Sequence, residues 1–203
     1  MRYVSNNQKL FKTGIEQASV QECLDYCNRL NVIGVDTETT GHDPYTDRLL
    51  SLQLGDEDEQ FVIDASTVLI SSFKDLLEDK NKLFILQNAQ FDLRFFYHHD
   101  IEPENIYDTM LAEIILTGGY RDEMDKKDIK DVSNTKIAEQ IVSKKISLDD
   151  LTNKYCGVRL NKSIRGNIHR EGLTERVIRY AGDDVKYLQD IRYQQLEKLE
   201  ELK

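Results

Sequence analysis

The sequence has little that would anchor it in a membrane or support a disulfide framework. Its 203 residues contain three cysteines, an odd number that cannot all pair with one another. Two of them, Cys23 and Cys27, lie four residues apart on one face of a predicted helix, where we expect burial rather than redox or metal chemistry. No apolar run approaches the roughly 20 residues of a membrane span, and the first residues lack the apolar stretch of a signal peptide. We therefore expect a cytoplasmic protein with reduced thiols.

The sequence also has fewer basic than acidic residues. The formal net charge of −10 argues against a protein that holds long stretches of duplex electrostatically. It leaves room for an enzyme that touches a few nucleotides through metal ions. Five basic residues and no acid occupy one segment, which is either a phosphate-contacting stretch or an ordinary solvated loop: Lys154, Arg159, Lys162, Arg165 and Arg170.

The order of apolar runs predicts an α/β protein with a mixed sheet. A short strand near Tyr3 and a helix across "SVQECLDYCNRL" precede three strand-like runs, "NVIGVD", "RLLSLQLG" and "QFVIDAS". The gaps between these three runs are too short for a crossover, so we expect antiparallel neighbours. A buried strand, "KLFILQN", then alternates with helices, and a last long helix is predicted from Thr174 onward.

Two acids end the first of those runs, in "NVIGVDTETTG". In a strand, residues i and i+2 point to the same side, so Asp36 and Glu38 share one face. Two like charges about 4 Å apart repel by roughly 4 kcal/mol at an effective dielectric of 20. The fold tolerates this if a cation is present or if one acid stays protonated, and oxygen ligands favour Mg²⁺ or Mn²⁺. The alternative is a capping or loop role for the pair.

Two later motifs place further acids at the ends of elements. Asp92 follows a buried strand in "LFILQNAQFDLRFF" and opens a helix, where it could also simply complement the helix dipole. In "ERVIRYAGDDVKYL", Tyr180 and Asp184 lie four residues apart on one helical face. That face borders a core-facing apolar stripe, and an acid in such a position is unusual unless it is paired.

In this order, the three motifs resemble those of the DnaQ-like 3′–5′ exonuclease superfamily, the DEDD nucleases. "VDTETTG" resembles the first motif, "NAQFD" the second and "YAGDD" the third, of the tyrosine type. The stretch that begins at "SLDDLTNKYCG" is similar to ribonuclease D and to the proofreading domain of family A DNA polymerases. The resemblance spans about residues 30–195. It implies an α/β, ribonuclease H-like fold with a mixed five-stranded sheet flanked by helices.

The length suits a single exonuclease domain over residues 1–203. The very polar segment 120–136 is predicted to be a mobile insertion.

The resemblance also implies roles for individual residues. The family's four metal-ligating positions are occupied here by Asp36, Glu38, Asp92 and Asp184. Tyr180 occupies the position of the tyrosine that orients or deprotonates the attacking water. The other large branch has a histidine where this chain has Arg179, so the histidine type is disfavoured. Asp183 competes with Asp184, but the Y-x-x-x-D spacing selects Asp184.

Substrate contacts are implied in the same way. Thr39, Asn88 and Phe91 match positions that touch the terminal nucleotide, and Lys162 and Arg165 would meet phosphates of the incoming strand. Asp108 is expected to have a structural role.

The expected activity is hydrolysis of phosphodiester bonds at a 3′ end, with two Mg²⁺ or Mn²⁺ ions about 4 Å apart and release of nucleoside 5′-monophosphates. Single-stranded DNA is the favoured substrate, in proofreading or repair, with a DNA polymerase as a partner. One alternative is an exoribonuclease like ribonuclease D. Another is a non-catalytic module that binds nucleic acid or a polymerase, which the presence of all four acids disfavours.

Overall fold

A seven-stranded mixed sheet runs through the part of the chain that the structure, a computed structural model, describes: residues 1–12, 14–118, 146–160, 168 and 172–202. The predicted mixed α/β architecture is confirmed, but the count of five strands is wrong. The two unpredicted strands lie at the two edges and have three residues each, too few to show an alternating pattern. The strands are β1 (Arg2–Val4), β2 (Glu16–Ala18), β3 (Val32–Thr39), β4 (Leu49–Gly55), β5 (Gln60–Asp64), β6 (Leu83–Leu86) and β7 (Ile106–Asp108).

The strand order across the sheet is β2-β1-β5-β4-β3-β6-β7. The pairs β3–β4 and β4–β5 are antiparallel, as their short connections predict, and the other neighbouring pairs are parallel. Strand β3 therefore lies inside the sheet, with β4 on one side and β6 on the other. Its eight residues carry the D-x-E motif out of the core to the end of the strand.

The described helices include a 3₁₀ turn, Ile70–Phe73, and α1 (Val20–Asn28), α2 (Lys74–Leu77), α3 (Gln90–His98), α4 (Thr109–Thr117), α5 (Leu148–Cys156), α6 (Glu175–Lys186) and α7 (Leu188–Glu200). The last long helix is not continuous, because it is interrupted at Tyr187. Two capping boxes start helices, one from Ser19 at α1 and one from Ser147 at α5.

Cys23 and Cys27 are fully buried as expected. Burial is the main cause that raises the pKa of the Cys23 thiol.

Helices cover both faces of the sheet. Successive side chains of β6 point to opposite faces and pack against different helices. Phe84 and Leu86 join the large apolar cluster that includes residues of α1, α2 and α3. Ile85, between them, packs instead with Val185 of α6 and Leu188 of α7. The sheet is thus buried on both faces near its centre, which fixes the strand and helix ends that surround β3.

Helix α6 crosses β3 at very close range. A Cβ atom added to Gly34 would lie 2.9 Å from the carbonyl oxygen of Val185, so only glycine fits here without movement of the helix or the strand. Because Asp184 precedes Val185, the glycine brings the third motif directly against the strand that carries the first.

Along the part of the chain that has been placed, none of the helices is both long enough and apolar enough to cross a membrane. The predicted insertion, 120–136, lies outside the described residues.

Candidate active site

A cavity of about 630 Å³ opens at the end of β3. Three carboxylates from two distant parts of the chain meet there, because β3 carries Asp36 and Glu38 and α6 carries Asp184. Each offers an oxygen atom, and these three oxygens all lie within 4.8 Å of one another. Asp184 is 7% exposed, so part of this charge is shielded from solvent.

The strand geometry explains the placement of the first two acids. Asp36 pairs with Gln53 and Glu38 with Ser51 on β4, in regular alternation, and both side chains line the cavity. The pairing register shifts between Glu38 and Thr39. Such irregularities end regular pairing and redirect side chains near functional sites, and here the shift falls directly after the second acid.

Asp92 reaches the same cavity from the first turn of α3 but lies outside the close group of three carboxylates. It is 2% exposed and accepts a hydrogen bond of 2.5 Å from the hydroxyl of Thr37. Burial raises the pKa of Asp92 well above its ordinary range, and the nearby charge of Asp36 raises it further. Burial and this neighbouring charge therefore favour the protonated form of Asp92.

Tyr180 lines the cavity one helical turn before Asp184, and only 8% of it is exposed. Its neighbours face elsewhere. Arg179, at the position of the alternative histidine, is exposed, and the half-buried Asp183 does not line the cavity. The spacing argument for Asp184 over Asp183 thus agrees with the placement of both side chains.

All three residues expected to touch the terminal nucleotide, Thr39, Asn88 and Phe91, line the cavity. Asn88 has a left-handed backbone, with a φ of 61°, which asparagine tolerates better than most residues. The carboxylate of Asp108 holds this turn, because it accepts the backbone N–H groups of Asn88 at 3.0 Å and of Ala89 at 2.9 Å. It also caps α4, in agreement with the structural role expected for it.

The first two basic residues of the segment contact acids of the protein itself, which differs from the phosphate contacts expected for them. Lys154 forms an ion pair with the buried Glu113, and Arg159 lies 3.3 Å from Asp149. These contacts hold α5 and the residues after it rather than leaving both cations for phosphates. The remaining basic residues of the segment lie outside the described residues: Lys162, Arg165 and Arg170.

Several cavity residues were not found by motif reasoning. His42 and Arg94 line the cavity beside Phe91, and no sequence pattern marks them. Asp149 also lines it and accepts the backbone N–H of Leu160 at 2.8 Å. The capping box at the start of α5 is the signal that could have drawn attention to Asp149, because it fixes that first turn.

The donor set fits a hard divalent cation. The three close side chains offer only carboxylate oxygens, the ligand type that Mg²⁺ and Mn²⁺ prefer. Asp92 adds a fourth carboxylate in the same cavity, where burial raises its pKa and repulsion from the charge of Asp36 raises it further. A cation would relieve that repulsion.

Comparisons with known proteins agree with this geometry. A family model described as a 3′–5′ exonuclease matches residues 15–200. Among curated relatives, DNA polymerase I of Aquifex aeolicus is 26% identical over 170 residues, which are 83% of this chain and 24% of the relative. Ribonuclease D of Desulfotalea psychrophila is 29% identical over 175 residues, 84% of this chain and 40% of the relative. The chain thus spans less than half the length of either protein.

Solved structures show the same fold. Brucella melitensis NrnC with bound Mg²⁺ superposes with a TM-score of 0.65 at 20% identity, over 98% of this chain and 80% of that one. Escherichia coli RNase D superposes with a TM-score of 0.65 at 22% identity, over 88% of this chain and 42% of that one.

Proposed function

This chain belongs to the 3′–5′ exonuclease family, and on that premise we propose that it removes nucleotides from the 3′ end of single-stranded nucleic acid with the help of two divalent cations. The observation that carries the proposal is the convergence of Asp36, Glu38 and Asp184, with oxygens within 4.8 Å of one another. Asp92 and Tyr180 line the same cavity. A module that only binds nucleic acid has no need to gather these charges.

We propose Mg²⁺ or Mn²⁺ as the cations, held by the four carboxylates. Bound divalent cations lower the pKa of a coordinated water and neutralise charge on the phosphate during displacement. Four formal negative charges match the charge of two such ions, which explains why the end of β3 can be so acidic.

The residues of the chain then have distinct tasks. Thr39, Asn88 and Phe91 hold the terminal nucleotide so that its phosphate faces the carboxylates. The hydroxyl of Tyr180 orients the attacking water by a hydrogen bond, or, as the phenolate, Tyr180 accepts the proton that the water loses. The water oxygen forms a bond to phosphorus as the bond to the 3′ oxygen of the preceding nucleotide breaks. The products are a nucleoside 5′-monophosphate and a strand one nucleotide shorter, with a free 3′ hydroxyl.

For the substrate, we propose RNA first. The support is that two of the curated relatives are ribonuclease D enzymes. Single-stranded DNA, the substrate expected from the sequence, is the second candidate. It is supported by the match to DNA polymerase I, and a DNA polymerase partner belongs to that second candidate alone.

A digestion of 5′-labelled RNA and DNA strands of one sequence, with Mg²⁺ or Mn²⁺, tests this proposal. We expect a ladder of products shortened from the 3′ end, faster on RNA, and released nucleoside 5′-monophosphates. A faster ladder on DNA would reverse the order of the two candidates. Intact strands under all conditions would leave only the binding module.

Variants of the site residues test whether the measured activity belongs to this protein or to a contaminating nuclease. Asp36→Ala and Asp184→Ala should each lower turnover by orders of magnitude, because each removes a charge from the close group of carboxylates. Asp183→Asn is the matched control, since it changes the adjacent acid that does not line the cavity. Turnover near that of the wild type in metal-loaded Asp184→Ala would refute the assignment of the site.

A further inference from the structure

One face of α3 continues from the cavity to the protein surface. Phe91, Arg94 and His98 recur at i, i+3 and i+7, so they lie along one side of the helix. The first two line the cavity, and the guanidinium of Arg94 lies 5.8 Å from the centre of the Phe91 ring. His98 follows about 10.5 Å from Phe91 along the helix axis.

The loop between β3 and β4 faces this side of α3 with two aromatic rings of its own. His42 lies edge-on to Phe91, with ring centres 5.6 Å apart, and Tyr45 lies edge-on to His98 at 5.2 Å. The two contacts form an inner pair, His42–Phe91, and an outer pair, Tyr45–His98. Both pairs have one ring from the loop and one from the helix.

The outer pair is open to solvent, with Tyr45 84% exposed. A large aromatic side chain that is exposed to this degree gains little from packing within its own protein, so the face of its ring is available to a ligand. The loop is nevertheless well fixed. Asp43 accepts the backbone N–H groups of Tyr45 and Asp47, and its own N–H is bound by the Asp47 carboxylate at 3.0 Å. A fixed loop backbone leaves less freedom to be lost when a ligand stacks on Tyr45.

We infer that Tyr45 and His98 form an outer stacking site for a nucleobase of the single strand, upstream of the nucleotide that occupies the cavity. This inference rests on the proposed function. Aromatic rings with an interleaved cation are the usual surface for single strands, because every base has a face that can stack. Here Arg94 lies between the inner and outer pairs. The separation of about 10.5 Å equals about three stacked nucleotide steps of 3.4 Å each.

The spacing means that a dinucleotide is too short to reach both pairs, whereas a heptanucleotide reaches them easily. The test compares kcat/KM on these two substrates for the wild type and for Tyr45→Ala. We expect the preference of the wild type for the heptanucleotide to fall roughly tenfold in the variant, the typical effect of one lost base stack. Tyr45→Phe keeps the ring and should keep the preference.

Tyr97→Ala is the matched control. Tyr97 is the next residue to His98, is 52% exposed and is not among the residues that line the cavity. An unchanged preference in Tyr45→Ala, or an equal fall in Tyr97→Ala, would overturn the outer stacking site.

A second measurement separates this inference from the proposed function. A heptanucleotide with 2-aminopurine at the fourth position from the 3′ end, three steps from the terminal nucleotide, is bound in EDTA, where it is not cut. We expect the wild type to change the 2-aminopurine fluorescence and Tyr45→Ala to abolish that change. Binding with this signal but no hydrolysis after metal addition would reject the proposed function and keep the stacking site. No signal with the wild type, or the same signal with Tyr45→Ala, would reject the stacking site.

Discussion

Thr37 and Asp92 are joined by a buried hydrogen bond in which the threonine hydroxyl donates to the carboxylate at 2.5 Å. Thr37 is the middle residue of the D-x-E motif, and Asp92 belongs to the second motif, 55 positions later. The bond links the two motifs independently of any cation. It also explains why Asp92 lines the cavity while it remains outside the close group of three carboxylates.

We predict that Thr37→Val lowers exonuclease turnover and raises the pKa of Asp92 further. Valine has a volume similar to that of threonine but lacks the hydroxyl. The hydrogen bond from that hydroxyl lowers the pKa of Asp92, which burial and the charge of Asp36 raise. Rates measured from pH 5 to 9 should show an acidic limb displaced to higher pH. Thr37→Ser retains the hydroxyl and should follow the wild type; a serine variant as impaired as the valine variant would contradict this role.

Tyr180→Phe should slow turnover less than Asp36→Ala. The variant keeps the buried ring and all four carboxylates, and it removes only the hydroxyl proposed to orient or deprotonate water. General acid–base groups contribute typically about 10²–10⁴-fold. Single-turnover rates at saturating Mn²⁺ measure the difference, and a loss as large as that of Asp36→Ala would show that the tyrosine is not auxiliary.

Divalent metal should raise the melting temperature, because it binds the folded carboxylates and not the unfolded chain. At a hundredfold excess over Kd, one such site contributes about 2.7 kcal/mol, or about 5–10 °C for a chain of this length. Differential scanning calorimetry in EDTA and in millimolar Mg²⁺ or Mn²⁺ gives the shift. The double variant Asp36→Ala, Asp184→Ala should lose it, whereas a wild type that melts identically in both buffers would lack a formed cation site.

A second buried acid, remote from the chemistry, ties three helices together. Glu113 of α4 is 3% exposed and is bound by Lys154, by the Tyr155 hydroxyl at 2.6 Å and by the Gln195 amide at 3.0 Å. Burial by itself would raise the pKa of Glu113, but these three hydrogen bonds together hold it below its ordinary value. The contacts fix α5, whose N-cap Ser147 and first-turn Asp149 line the cavity.

Glu113→Gln should therefore destabilise the protein by roughly 2 kcal/mol at pH 7, the usual size of hydrogen bonds to a charged group. Because the folded pKa is depressed, this contribution is present above the unfolded value of about 4.5 and is lost as the pH falls through the folded pKa. Urea unfolding at pH 7 and near pH 3.5 should show the gap to the wild type narrowing in acid. Glu104→Gln, in an exposed pair with Lys80, should change stability little at either pH.

Local patterns were sufficient for much of the fold. Strand-like apolar runs predicted β3, β4 and β5, and the short gaps between these runs predicted their antiparallel pairing. They failed for β2 and β7, because three residues exist as a strand only through the neighbour that pairs with them. They also failed at Tyr187, where two helices follow each other without a glycine or proline between them.

By itself, the sequence determined which chemical groups are present and which of them share a strand face or a helical turn, because those relations repeat every two or every 3.6 residues. Asp36 with Glu38, and Tyr180 with Asp184, are of this kind. Only the tertiary structure decided that the separate motifs meet in one cavity, that Gly34 lets α6 approach β3, and that Thr37 holds Asp92. These depend on contacts between distant parts of the chain, and the packing of both faces of the sheet sets their distances.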